Sequence, residues 1–135
     1  MPVDGSQGAV RAAAFAAQLA RKFGGCVILL HVYDAPTAST LGLLGLPAVD
    51  LEDVRTRLAQ DSFRHAIDAM GDLEPEASLV ELGDPAEQIV VAATAQRVDH
   101  IVMGTRGLSP VKGLLLGSVS DRVAREAPCP VTLVR

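Results

Sequence analysis

The chain has 135 residues, 49% hydrophobic and 21% charged, a length and composition that fit one domain with its own core and exclude a disordered chain. Twelve Lys+Arg against sixteen Asp+Glu leave a net charge of -4, which opposes attraction to nucleic-acid phosphates, and 3% aromatics with no Trp leave no platform for stacking bases. No apolar run approaches the roughly 18 residues of a membrane span and no basic-plus-apolar leader opens the chain. Cys26 and Cys129 form neither a CxxC pair nor part of a Cys/His cluster. A cytoplasmic, reducing setting without disulfide or metal is expected.

Only Met1-Pro2-Val3 precede the turn Asp4-Gly5-Ser6. A usual strand has about 5 residues, so a first strand is expected to be cut short. A helix is predicted from Gln7 to Phe23, with Phe15, Leu19 and Phe23 on one stripe and Gly24-Gly25 stopping it. The nearly unbroken apolar run Cys26 to Tyr33 reads as a strand buried on both faces, which favours a parallel sheet. The connection Asp34 to Val49, with Leu41-Gly42-Leu43-Leu44-Gly45-Leu46-Pro47, is too apolar for an ordinary solvated loop. A second helix is expected from Asp50 to Gly71, burying Val54, Leu58, Ile67 and Met70, followed by a strand at Ala77 to Leu82. Asp84-Pro85-Ala86-Glu87 has the features of a helix start: a capping Asp, Pro at the first helical position and Glu placed to bond back. Ile89, Val90 and Ala93 then face the sheet. Strands at His100 to Met103 and Val131 to Val134 bracket a last helix, Ser118 to Glu126, with Val119 and Val123 inward and Pro128 and Pro130 beyond its end.

The segment richest in chemistry is Gly104-Thr105-Arg106-Gly107, then nine residues, then Gly117-Ser118, between a strand end and a helix start. Glycines there let the backbone approach an anion, and the N–H groups of the helix start and the hydroxyls of Ser118 and Ser120 can donate to phosphate oxygens. Arg106 and Lys112 add charge to the same loop. The plainer alternative is that these glycines only turn the chain. Neither a G-x-x-x-x-G-K-[ST] phosphate loop nor a G-x-G-x-x-G fingerprint occurs, and no base is evident to activate water on a terminal phosphate, so turnover is expected to be slow or nil. Asp4, Ser6 and a histidine invite comparison with a hydrolase triad, but Ser6 is better placed as a helix cap and no G-x-S-x-G elbow exists. His31, His65 and His100 suggest no ligand set, and Cys26 and Cys129 read as small apolar side chains.

Val3-Asp4-Gly5-Ser6, Ile101-Val102-Met103-Gly104-Thr105-Arg106-Gly107, Gly117-Ser118-Val119-Ser120 and Ala127-Pro128-Cys129-Pro130-Val131 together resemble the universal stress protein family over essentially the whole chain. The glycine spacing resembles its ATP-binding branch. The resemblance implies one α/β domain spanning 1–135: an open, mainly parallel five-stranded, doubly wound (Rossmann-like) sheet with helices on both faces. Members usually carry more apolar residues ahead of the segment matched here by Val3-Asp4. By similarity, Asp4 would lie at the ribose or base, the Val32 backbone at the adenine edge, and Met103 in the adenosine pocket. Gly104, Gly107, Gly117, Ser118 and Val119 would surround ribose and phosphates, with Arg106 and Ser120 from the same loop and helix start. The implied ligand is ATP with Mg²⁺, and the implied assembly is a homodimer, for which the strand Val131 to Val134 offers an edge. Three readings follow: a nucleotide-dependent stress sensor, a nucleotide-free dimeric interaction module, or an enzyme of slow ATP hydrolysis or adenylyl transfer.

Overall fold

The computed structural model describes residues 1–33, 48–108 and 116–135. The apolar connection from Asp34, apart from Ala48 and Val49, the loop position Lys112 and the side chains of Val54 and Leu58 lie outside the described residues.

Helix α1 (Gln7–Phe23) starts where Gly5 takes a φ of 80° and Ser6 turns its hydroxyl to accept from the Ala9 amide at 3.2 Å. Such a cap contributes about 1 kcal/mol. The helix ends at Gly24 in the left-handed region, whose N–H bonds back to the Ala20 carbonyl. Of the predicted stripe only Leu19 packs against the core. Ala9, Ala12, Ala13, Ala16, Ala17 and Ala20 point inward, while Phe23 is 75% exposed and Phe15 lies at the surface. A face of methyl groups brings the helix axis closer to its neighbours than rings would permit, and close approach maximises dispersion contacts.

Strand β1 (Ile28–Tyr33) pairs in parallel with β2 (Ala77–Leu82), in register from Ile28↔Ala77 to Tyr33↔Leu82. Strand β3 (Ile101–Gly104) pairs in parallel with β4 (Val131–Val134), from Ile101↔Val131 to Gly104↔Val134. Parallel neighbours require crossovers. Helix α2 (Ala48–Met70) falls between β1 and β2, α3 (Pro85–Ala95) between β2 and β3, and α4 (Ser118–Glu126) between β3 and β4. The α3 start follows the sequence prediction: Asp84 accepts from the Glu87 amide at 2.9 Å with Pro85 in the first turn. Asp84 also receives Arg122 Nη1 at 2.8 Å, tying the start of α3 to α4.

Successive strand residues serve opposite layers. Leu29 and Val102 join the core under α1 and α2 with Phe63 and Met70, whereas Leu30 and Met103 join the core under α3 and α4 with Ile89 and Val123. Helices on both faces of parallel strands explain why β1 and β3 read as continuous apolar runs. Strand β2 departs from that expectation, since Val80 and Leu82 are exposed.

The expected single five-stranded sheet is replaced, among the described residues, by two two-stranded sheets and one isolated bridge, Pro2↔Leu30. The bridge is made by Leu30 donating to the Met1 carbonyl at 2.9 Å and Val3 donating to the Leu30 carbonyl at 2.8 Å. In a parallel ladder alternate residues address alternate neighbours, so Pro2 addresses the side away from β1. Proline has no N–H to give there, and this short segment gains no ladder toward β3.

Candidate functional site

The carboxyl ends of β1 and β3 flank the place where the chain leaves Val3 for α1. Leu30 bonds to the Met1–Val3 segment, while Gly83 and Glu76 donate to the carbonyls of Tyr33 and Val27 on the β2 side. By the same alternation, the backbone N–H and carbonyl of Val32 point with those of Leu30, away from β2 and into the crevice past Val3. In open α/β sheets this crevice, where strand order reverses, is where ligands bind.

Asp4 lies at the mouth of that crevice. Its Oδ1 accepts from the Ser6 amide at 2.9 Å, which folds Asp4-Gly5-Ser6 into a turn. A Cβ built on Gly107 would stand 2.5 Å from Asp4 Oδ2, so the loop after β3 passes directly against the Asp4 carboxylate. A Cβ on Gly104 would stand 2.8 Å from the Gly8 carbonyl carbon, and one on Gly8 would stand 2.8 Å from the Arg106 carbonyl oxygen. The first turn of α1 is therefore packed backbone to backbone on the start of the loop. A cleft of about 410 Å³ opens beside this contact, lined by Gln7, Arg11, Thr105, Arg106 and Gly107 among others. Its arginines oppose the negative sign of the whole chain.

The loop returns to the same point. The Thr105 carbonyl accepts from the Gly117 amide at 2.8 Å and from Ser120 Oγ at 2.8 Å, so the start of α4 is fastened to the end of β3. Gly117 caps α4 in extended geometry, φ -78° and ψ 159°, and as a glycine it has no side chain of its own to bond to the first-turn amides. A helix start of that kind presents N–H groups and the positive end of its dipole to an anion.

The residues singled out from the sequence thus fall into two groups. Asp4 touches Gly107, and Gly117 with the helix start of Ser118 and Val119 is joined through Thr105 to Gly104 and Arg106. Ser118 is exposed, and Val119 partly buried. Met103 is buried in the core under α3 and α4. Ser120 is 2% exposed and its hydroxyl is spent on the Thr105 and Gly117 carbonyls, which gives it a structural task. Ser6 likewise caps α1, and His31 Nδ1 lies 2.9 Å from the Val3 carbonyl, so the hydrolase arrangement is not formed. Gly8 and Thr105 escaped the sequence reading because their contributions are a missing Cβ and a main-chain carbonyl, neither of which leaves a residue-type signal. Partial burial, with Asp99 nearby, pushes the Cys129 thiol up, so its reactive thiolate is scarce.

Burial holds the His31 imidazole below its ordinary value, against the smaller opposing pull of the Val3 carbonyl and Asp4. The folded state therefore binds the proton less readily than the unfolded chain. The stability owed to neutral His31 is present above about pH 6.5 and is lost as pH falls below it. The midpoint of thermal unfolding is expected to drop between pH 7.5 and 5.5, and to drop less in His31→Asn. Equal slopes would remove His31 from the acid response.

The universal stress protein family profile matches residues 1–135. The universal stress protein in the QAH/OAS sulfhydrylase 3'region of Thermus aquaticus is 42% identical over 133 residues, covering 98% of this chain and 93% of its own. The solved structure of MJ0577 from Methanocaldococcus jannaschii superposes with a TM-score of 0.81 at 28% identity, covering 98% of this chain and 91% of that one. A universal stress protein solved in complex with cAMP superposes with a TM-score of 0.67 at 27% identity, covering 100% of this chain and 93% of that one. With the family profile spanning residues 1–135 and a relative 42% identical over 133 of them, this chain belongs to the universal stress protein family.

Proposed function

We propose that this chain is one nucleotide-binding domain that takes up an adenine nucleotide, ATP with Mg²⁺ carried on its phosphates, at the crevice between β1 and β3. The observation that carries the reading is the start of α4 at its glycine cap, fastened through Thr105 to the loop that passes against Asp4. It offers amides for phosphate at one end and, at the other, the Asp4 carboxylate beside the outward-facing backbone of Val32. Those groups suit a ribose hydroxyl and the edge of a base. The related protein that was solved with cAMP supports an adenine ligand. Met103 lies under the adenosine end in this assignment, Arg106 adds charge beside the phosphates, and Gly104, Gly107, Gly117, Ser118, Val119 and Ser120 form the wall. Occupancy is the output rather than turnover. Nucleotide shifts the population between surfaces presented to a partner, in a cytoplasmic stress response.

The assembly in this reading is a homodimer through β4. That strand has β3 as its pairing partner among the described residues, and all four of its residues are partly exposed. An open edge of this kind is a ready template for a second strand.

A second reading has its own support. Gly104 and Gly107 are required by their packing on Gly8 and Asp4 whether or not a ligand is present, which suits an interaction module that binds no nucleotide. Isothermal titration of the nucleotide-stripped protein with ATP and Mg²⁺, with GTP as control, separates the two. Adenine-selective binding in the micromolar range, about -8 kcal/mol, is the expected result. No heat with any adenine nucleotide would leave the interaction module.

A further inference from the structure

His31 is the buried polar side chain of β1, 9% exposed, and it lies directly behind the turn that carries Asp4. A carbonyl oxygen can only accept, so the 2.9 Å contact with Val3 fixes the proton on Nδ1 and makes His31 the donor. The ring has few other ways to lie. It meets the Tyr33 ring edge-on at 4.7 Å and 71° and the Phe63 ring at 6.3 Å and 74°. Tyr33 is itself anchored, its hydroxyl accepting from the Ala59 amide of α2 at 3.0 Å. A Cβ on Gly5 would touch Ser62 Oγ of the same helix at 3.4 Å, so α2 supports both the ring and the turn.

Val3 is the last residue bonded to β1 before the chain turns away, with its N–H on the Leu30 carbonyl. Its own carbonyl precedes Asp4 directly, and His31 is the group that holds it. The Val3 peptide is thus gripped on both of its polar atoms, by Leu30 and by His31, immediately before the carboxylate assigned to the nucleotide. We propose that His31 is a positioning residue for the adenosine end of the site, its Nδ1–H fixing the Val3 carbonyl so that Asp4 is presented beside Val32. This rests on the adenine-nucleotide reading for its functional part and on the hydrogen bond alone for its structural part.

Asparagine and glutamine separate this role from packing. The amide nitrogen of His31→Asn occupies the Nδ1 position and can donate to Val3, whereas that of His31→Gln reaches the Nε2 position and cannot. Glutamine is nearer to histidine in volume, so a residue that merely fills space predicts the opposite order. Two measurements are made on each full-length variant: titration with ATP and Mg²⁺, and hydrogen exchange at the Ser6 and Ala9 amides. The expected result is a Kd for ATP within about threefold of the wild type in His31→Asn and raised about tenfold or more in His31→Gln, with faster exchange at Ser6 and Ala9 in the glutamine variant alone. Equal or reversed affinities, or equal exchange, would overturn the assignment. If the wild type itself takes up no ATP, the nucleotide reading fails on its own. Exchange then decides His31: faster in His31→Gln supports its hold on the turn, and no difference refutes it.

Discussion

Gly104→Val is expected to destabilise the fold by on the order of 4 kcal/mol, at the upper end of what single substitutions do. The first atom of the new side chain would stand 2.8 Å from the Gly8 carbonyl carbon and 3.1 Å from its Cα and oxygen. These are backbone atoms of the first turn of α1, which is held by the Ser6 cap, so no rotamer change relieves the overlap. Either α1 lifts from β3, uncovering part of its alanine face, or β3 shifts against β4. A domain of this size loses about 3 °C in melting temperature per kcal/mol, so a fall of roughly 12 °C is expected by circular dichroism. A melting temperature within a few degrees of the wild type would show that α1 sits more loosely on the end of β3 than the backbone contact implies. Gly107 is intermediate in kind: its Cβ would meet the Asp4 carboxylate, a side chain that can turn aside, but then Asp4 leaves the crevice.

Gly117→Val is expected to do the reverse, sparing the fold and abolishing nucleotide binding. Its φ of -78° suits any residue, and a Cβ there meets Thr105, Arg106 and Ser120 at ordinary contact distances of 3.5 to 3.7 Å. The two methyl groups beyond it cover the start of α4, where the first-turn amides are. Melting should stay within a few degrees of the wild type, since replacing a glycine cap by a residue less favoured there costs roughly 1 kcal/mol. Affinity for ATP should fall at least about tenfold, or 1.4 kcal/mol. A folded variant that binds ATP as the wild type does would place the phosphates away from α4. The pair of variants distinguishes glycines required by packing from glycines required by a ligand, which the spacing of glycines along the chain does not.

That contrast shows what could be read beforehand. The alternation of helices and strands was legible because each element carries local signals, such as Asp84-Pro85 for α3, Gly24 for the end of α1 and the apolar run of β1. The inward face of α1 was not, because hydrophobicity ranks Phe15 and Phe23 above alanine while close packing favours the alanines. The short first strand was legible too, and among the described residues Pro2 makes one isolated bridge to Leu30 rather than a ladder. At the candidate site, the glycines and the helix start were visible as types, and their partners Gly8, Thr105 and Val3 were not. Those act through main-chain atoms that every residue possesses.

The bond between Gly117 and Thr105 also has an evolutionary reading. It closes the excursion from β3 to α4 at its base, so the chain enters and leaves through one fixed gate whatever lies between. Lengthening a closed excursion is cheap, about 0.6 kcal/mol for each doubling of its length. Beyond Arg106 and Gly107, which pack on Gly8 and Asp4, residues within it can therefore be inserted, deleted or exchanged for those of a relative without disturbing the helix start that faces the crevice. Specificity can drift in such a segment while the scaffold stays in place, which makes it the natural part of this domain to diversify and the part to graft when one member of the family is to be given another's preferences.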